Sequence, residues 1–241
     1  MPDSNIEQLI TAAKLLRPLL DDLVFVGGSV TGLLITDEAA GDPRATLDVD
    51  AIAEITSYAE YSAFGDRLRA LGFTEDTSED APLCRWVQEG TILDVMPLDE
   101  KILGFSNRWY PAAMEAAEQR TLSDDLEVRT VTAPFFVATK LEAFKGRGNR
   151  DFFGSRDLED LVYVVDGRST LVAEVQAETA TLSSYVRAEI TRLLATASKA
   201  YRCVAGISAP RCRESITNKH HPPTIRTACY YIREMNEVIA R

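Results

Sequence analysis

Two short segments near the start of the chain carry residues that suit phosphate and metal chemistry. The first is the turn Gly27-Gly28-Ser29, which follows the apolar run Leu23–Val26, and the second is the pair Asp48 and Asp50. A glycine turn between a strand and a helix exposes backbone N–H groups that bind phosphate. Side chains two apart on a strand point to one face, so the two carboxylates suit a shared hard cation. Together they predict a metal-dependent phosphoryl or nucleotidyl transfer site.

A third carboxylate, Asp94, is expected to complete the acidic site. It stands in an otherwise apolar segment, 91–96, which the turn Glu89-Gly90 joins to segment 84–88 in a predicted hairpin. Three carboxylates can hold one or two Mg²⁺ ions that orient a triphosphate. Asp94 is also a candidate for the base that accepts the proton of an attacking hydroxyl. The plainer alternative is a strand end capped by two acids, with Asp94 solvated at a sheet edge.

Further along the chain, charged residues occupy two predicted helices, with cations on the first and acids on the second. Lys140 and Arg147 fall on one helix face, where both can reach one anion. Asp157 and Asp160 lie three residues apart on the next helix, where they can anchor those cations or the metal-bound substrate. The alternative here is a solvated, charged helix face.

The elements that position these residues follow from hydrophobic periodicity and turn signals. Strands are predicted at 23–26, 47–55, 84–88, 91–96 and 127–131, and helices at 4–20, 29–35, 57–71, 107–118, 135–145, 156–165, 171–200 and 224–240. The change from mixed elements to helices near residue 133 predicts a catalytic core at 1–132 and a helical region at 133–241, which contributes nucleotide and acceptor contacts. The predicted fold class is α+β: a mixed sheet with flanking helices, followed by a C-terminal helical region.

The composition excludes some classes of protein. The formal net charge of −11, from 37 acidic and 26 basic residues, argues against a general nucleic-acid binder, although basic residues of the C-terminal half would suit local polyanion binding. The chain shows neither an apolar run of membrane-spanning length nor a signal peptide, so a cytoplasmic location is expected, with no membrane partner. Its 4 cysteines lack the spacing of a zinc site or a disulfide framework.

The ordered motifs resemble the nucleotidyltransferase superfamily. They are Gly27-Gly28-Ser29, Thr46-x-Asp48-x-Asp50, Asp94, Lys140-x-x-Ala143-x-x-x-Arg147 and Arg156-Asp157-x-x-Asp160-Leu161. Within the superfamily the chain is similar to the AbiEii/AbiGii type, which includes toxins of toxin–antitoxin and abortive-infection systems. The resemblance covers residues 23–165. The first motifs are shared widely across the superfamily, whereas the Lys and Arg-Asp-x-x-Asp segments narrow it to this branch.

This resemblance implies a nucleotidyltransferase fold and transfer of a nucleoside monophosphate from a nucleoside triphosphate to an acceptor hydroxyl. It implies Mg²⁺ held by Asp48, Asp50 and Asp94, with Lys140 and Asp157 among the catalytic residues. The nucleotide-binding residues that it implies are Gly27, Gly28, Ser29, Lys140, Arg147 and Asp160. Some relatives act on tRNA 3′ ends, so tRNA or another RNA is an expected acceptor and a cognate antitoxin protein an expected partner.

Two alternatives stay open. The first is a small-molecule nucleotidyltransferase of the antibiotic-modifying kind, because the acidic loop at 37–50 would suit a cationic acceptor such as an aminoglycoside. The second is a non-catalytic nucleotide-binding or partner-binding module that has the same fold. The acceptor of the enzymatic reaction is either RNA, held by the basic C-terminal helices, or a protein hydroxyl.

Overall fold

The computed structural model describes residues 4–147 and 154–205, with side chains for all of these except Arg147 and residues 197–205. The described residues form two compact units. Unit 1 contains the chain up to Leu33 together with Pro43–Thr139, and unit 2 contains Leu34–Asp42 and the chain from Lys140 onward. The predicted functional division into 1–132 and 133–241 stays a prediction.

A seven-stranded mixed sheet forms the centre of unit 1. Its strands are β1 (Leu23–Val26), β2 (Val49–Ala53), β3 (Thr74–Glu75), β4 (Arg85–Gln88), β5 (Thr91–Pro97), β6 (Glu118–Ser123) and β7 (Leu126–Thr130). They lie in the order β3-β4-β5-β2-β1-β7-β6. β2 is parallel to β5 and β1 is parallel to β7, whereas the other neighbours are antiparallel. The predicted mixture of helices with a mixed sheet is confirmed at this level.

Helices account for about half of the residues that the structure describes. They are α1 (Ser4–Leu15), α2 (Thr31–Leu34), α3 (Tyr58–Ala70), α4 (Glu100–Leu103), α5 (Tyr110–Glu115), α6 (Ala133–Arg147), α7 (Arg156–Gly167), α8 (Leu171–Ala177) and α9 (Ala180–Ala205), with 3₁₀ turns at Arg17–Asp22 and Gly28–Val30. No helix in the described part of the chain is both long and apolar enough to cross a membrane.

Local capping and turn chemistry explains several boundaries. Ser57 and Glu60 form a capping box at the start of α3, where each side chain bonds the other's backbone N–H. The predicted helix at 4–20 was too long, because α1 ends before Pro18, which has no N–H to donate. The predicted helix at 171–200 is two helices, with extended backbone at Glu178 and the Thr179 hydroxyl accepting a bond from the first turn of α9.

Two strands, β3 and β6, were missed, and one predicted helix is not described. β6 has the polar sequence EQRTLS and no buried residue, so it lacks the alternating apolar pattern of a half-buried strand; only its pairing with β7 makes it a strand. The helix predicted at 224–240 lies outside the described residues.

The turn between β4 and β5 carries a residue in an unfavourable backbone region. Glu89 has φ +49° and Gly90 has φ +83°, so both turn residues are left-handed, as in the two-residue turns that match strand twist. Asparagine tolerates this region better than glutamate.

Glu89→Asn should therefore raise the free energy of unfolding by about 0.5 kcal/mol, measured by urea denaturation. Glu79→Asn is the matched control, since it makes the same exchange at an exposed residue without positive φ. Equal effects of the two substitutions would show that backbone strain at Glu89 is not the cause.

Candidate active site

Charged side chains stand in one row across the centre of the sheet. Asp50 of β2 lies opposite Val26 of β1 on one side and Asp94 of β5 on the other, and Asp94 lies opposite Arg85 of β4. Directly opposed residues project to the same face of a sheet. Asp50, Asp94 and Arg85 therefore share a face, and the residues on either side of Asp50 and Asp94 in their strands are apolar and buried.

The Arg85 guanidinium binds two of the three predicted metal ligands. Its Nε and Nη2 each donate to one carboxylate oxygen of Asp94 at 2.8 Å, and Nη2 also donates to Asp48 Oδ2 at 3.0 Å. The Asp94 side chain is only 9% exposed and that of Arg85 22% exposed. A bidentate, partly desolvated pair of this kind is strong and fixes the plane of the guanidinium. The bonds to Asp94 raise the pKa of Arg85 above its already high ordinary value.

This arrangement bears on the predicted magnesium site. Carboxylates are the ligands that Mg²⁺ prefers, so the donor types fit. However, both oxygens of Asp94 accept bonds from Arg85, and within the described residues no group of three or more His, Cys, Asp or Glu side chains is placed to hold a metal ion. The metal roles of Asp48, Asp50 and Asp94 stay predictions. Hydrogen bonds already occupy part of the acceptor capacity of both oxygens of Asp48 and of Asp94.

The pKa of the Cys84 thiol is affected by the charges of these acids. The thiol is buried, and burial, followed by the charges of Asp94 and Asp50, raises the pKa of Cys84 to about 12. The thiol therefore stays protonated at neutral pH and is not a nucleophile. The two carboxylates act on it from the neighbouring strands.

The glycine turn after β1 is shaped around the Asp50 carboxylate. Gly27 has φ +72°, and a Cβ added there would overlap the carboxylate of Asp50. Glycine is thus required twice, by its backbone conformation and by the close approach of the acid. The predicted phosphate-binding turn and the predicted metal ligand are in direct contact.

Ser29 and Thr46 make further bonds around this turn. Ser29 is fully buried and its hydroxyl donates to the Val26 carbonyl at 3.2 Å, while its role as a phosphate ligand stays a prediction. The Thr46 hydroxyl donates to Asp48 Oδ1 at 2.7 Å. Asp48 is therefore fixed from both sides, by Thr46 and by Arg85.

The remaining predicted site residues lie in unit 2. Lys140 Nζ on α6 lies 2.6 Å from Asp160 Oδ2 and 3.3 Å from Asp157 Oδ1, both on α7. All three side chains are at most 8% exposed, so each carboxylate compensates a lysine charge that would otherwise be buried alone. The expected pairing of these aspartates with a cation is present. The side chain of Arg147 is outside the described part.

Arg85 was not among the predicted site residues, although the sequence contained a signal for it. The hairpin was predicted with a two-residue turn at Glu89-Gly90, and counting outward from that turn places Arg85 opposite Asp94. Opposite charges at directly opposed positions form a favourable pair. The bond from Arg85 to Asp48 joins residues 37 apart in the chain, and no turn or spacing pattern predicts it.

No protein-family model matches this chain, and no curated protein matches it.

Gly27→Ala should destabilise unit 1 by about 2–4 kcal/mol, because the new Cβ meets the Asp50 carboxylate and the backbone is left-handed. The measurement is denaturant unfolding. Gly41→Ala is the control, since a Cβ there meets no atom within 4 Å. In an Asp50→Ala background the cost of Gly27→Ala should fall, because the overlap with the carboxylate is gone and only the backbone strain and a 2.9 Å approach to Cβ of residue 50 are left. An unchanged cost would contradict the close approach.

Arg85→Gln should lower the free energy of unfolding by about 2–3 kcal/mol, because it removes both bonds to the nearly buried Asp94. Adding Asp94→Asn should cost less in this background than in the wild type, which a double-mutant cycle by urea unfolding measures. Arg17→Gln, which breaks an exposed pair with Asp125, is the control and should change stability little. Strict additivity would show that Arg85 and Asp94 are not coupled.

Proposed function

We propose that this chain is a nucleotidyltransferase, which moves a nucleoside monophosphate from a nucleoside triphosphate to an acceptor hydroxyl with the help of Mg²⁺. The observation that carries the proposal is the contact between the Gly27 turn and the Asp50 carboxylate. Such a transfer needs phosphate-binding backbone N–H groups directly beside a cation-binding acid, since the cation bridges the two. A turn that served only to reverse the chain would not need an acid against its glycine.

The charge balance of the site supports a divalent cation. Asp48, Asp50 and Asp94 contribute three negative charges and Arg85 contributes one positive charge. Arg85 therefore offsets only one of the two charges of the acids that it binds, Asp48 and Asp94. When bound, Mg²⁺ would offset the charge of the triphosphate and of the departing pyrophosphate.

Each residue of the site has a role in the proposed reaction. The acceptor oxygen attacks the α-phosphorus, the bond to pyrophosphate breaks, and the acceptor proton passes to a carboxylate or to solvent. Asp48 and Asp50 are the proposed cation ligands, and the N–H groups of Gly27, Gly28 and Ser29 the proposed phosphate donors. Asp94, with both oxygens bonded to Arg85, acts first as the anchor of that guanidinium.

The acceptor and the biological role are proposed from the resemblance to AbiEii/AbiGii toxins. The proposed acceptor is RNA, with tRNA 3′ ends as the first candidate, and the proposed protein partner is an antitoxin. On that resemblance, Lys140, Arg147, Asp157 and Asp160 are also proposed as nucleotide-binding or catalytic residues. The buried bonds to Asp157 and Asp160 hold the Lys140 ammonium in one position. A lysine that binds a nucleotide in a defined orientation needs such a fixed position.

A non-catalytic binding module is the second candidate, and one observation favours it. Arg85 compensates Asp48 and Asp94 without any added cation. A domain that had lost catalysis would show such internal neutralisation, because isolated carboxylates on one sheet face repel each other.

One transfer assay separates these functions. The protein is incubated with each labelled nucleoside triphosphate, Mg²⁺, and total tRNA, an aminoglycoside or no acceptor. Label on tRNA supports the proposal, and label on the aminoglycoside supports small-molecule transfer. Asp50→Asn should reduce transfer by more than about 100-fold, because it removes a cation ligand beside the reacting phosphate.

The control is Asp125→Asn, at an exposed acid paired only at the surface, which should leave transfer unchanged. Nucleotide binding without transfer to any acceptor, and equally tight in Asp50→Asn, would reject catalysis and support the binding module.

A further inference from the structure

The second glycine of the turn lies close to a different side chain from the first. Gly28 has no left-handed backbone, yet a Cβ added there would lie 3.2 Å from Arg44 Nη2 and 3.4 Å from Thr46 Oγ1. The absence of a side chain at Gly28 thus lets the Arg44 guanidinium lie against the turn. Gly27 leaves room for the Asp50 carboxylate, and Gly28 leaves room for the Arg44 guanidinium.

The position of Arg44 is fixed through its backbone by a buried amide. Asn5 of α1 is fully buried; its Nδ2 donates to the Arg44 carbonyl at 2.8 Å, and its Oδ1 accepts from Thr46 N–H at 3.0 Å. The two bonds straddle Ala45 and hold the chain on either side of it. Arg44 Nη1 also donates to the Ala45 carbonyl at 3.3 Å. Helix α1 therefore determines where this segment passes the turn.

A guanidinium beside a phosphate-binding turn has a chemical use. Arginine binds phosphate oxygens through charge-assisted, often bidentate hydrogen bonds, and the planar group loses little entropy on binding. A triphosphate also needs positive charge besides the metal, because its oxygens carry more charge than one divalent cation offsets. The side chain is partly exposed, so it is accessible to a ligand.

We propose that Arg44 is a phosphate-binding residue of the nucleotide site and that Asn5 is the residue that positions it. The inference rests on the proposed function, since it assigns the triphosphate of the donor nucleotide as the ligand of Arg44. It also changes the interpretation of the acidic loop at 37–50, which was expected to suit a cationic acceptor. Under this proposal, Arg44 in that loop supplies positive charge to the phosphates of the nucleotide.

Arg44→Gln tests the assignment through binding rather than turnover. Equilibrium binding of each Mg²⁺–nucleoside triphosphate and of inorganic tripolyphosphate is measured by calorimetry, with Arg17→Gln as the control of equal charge change. Arg44→Gln should weaken binding of all these ligands by a similar factor of about 10–100, because the lost bonds are to phosphate and not to a base. Arg44→Lys should recover part of the loss, since it restores the charge without the planar fork.

Asn5 is tested in the same assay. Asn5→Ala should weaken triphosphate binding in the wild-type background but not further in the Arg44→Gln background, because it acts through Arg44. A purely structural role would lower the melting temperature in both backgrounds and weaken binding in both. Thermal melting of every variant is measured alongside.

The outcomes separate this inference from the proposed function. If wild-type protein binds nucleotides and Arg44→Gln binds them as tightly as Arg17→Gln does, the assignment of Arg44 is wrong and the proposed function stands. If wild-type protein binds no nucleoside triphosphate, both are wrong. A loss confined to one base would contradict a phosphate contact.

Discussion

Neutralising carboxylates inside the sheet is the constraint on which the rest of unit 1 depends. Asp50 and Asp94 occupy directly opposed positions in the two central strands, where like charges repel and apolar residues would pack better. Arg85 offsets the repulsion, and the antiparallel pairing of β4 with β5 sets it opposite Asp94. Apolar residues at these positions would need no such compensation.

The glycine turn after β1 is also shaped by the charged side chains of the sheet. Gly27 makes room for the Asp50 carboxylate, and Gly28 makes room for the Arg44 guanidinium. An acid and a basic side chain thus approach successive residues of the turn at the end of β1. In unit 2 a comparable balance appears among buried groups, where Lys140 is held by Asp157 and Asp160. In both units a basic side chain offsets part of the charge of the acids beside it.

Most elements were predictable from local sequence, and the exceptions have physical reasons. The runs 23–26 and 91–96 and the helix at 57–71 were found, because apolar spacing and capping residues signal them. β6 was missed because an exposed edge strand needs no apolar face. The break between α8 and α9 was missed because apolar periodicity continues across Glu178 and Thr179 while the backbone does not.

The sequence by itself determined which residues have the chemistry for the proposed site: a glycine turn, the acids Asp48, Asp50 and Asp94, and a lysine with two aspartates at helical spacing. That Asp48 and Asp50 share a face stays a prediction, since β2 begins at Val49. The hairpin turn contained the signal that pairs Asp94 with Arg85. Only the tertiary structure decided that Asp50 lies against Gly27, that Arg85 also reaches Asp48, and that Asn5 holds Arg44 beside Gly28. These contacts join residues far apart in the chain, and their geometry follows from strand pairing and helix packing, which no local pattern encodes.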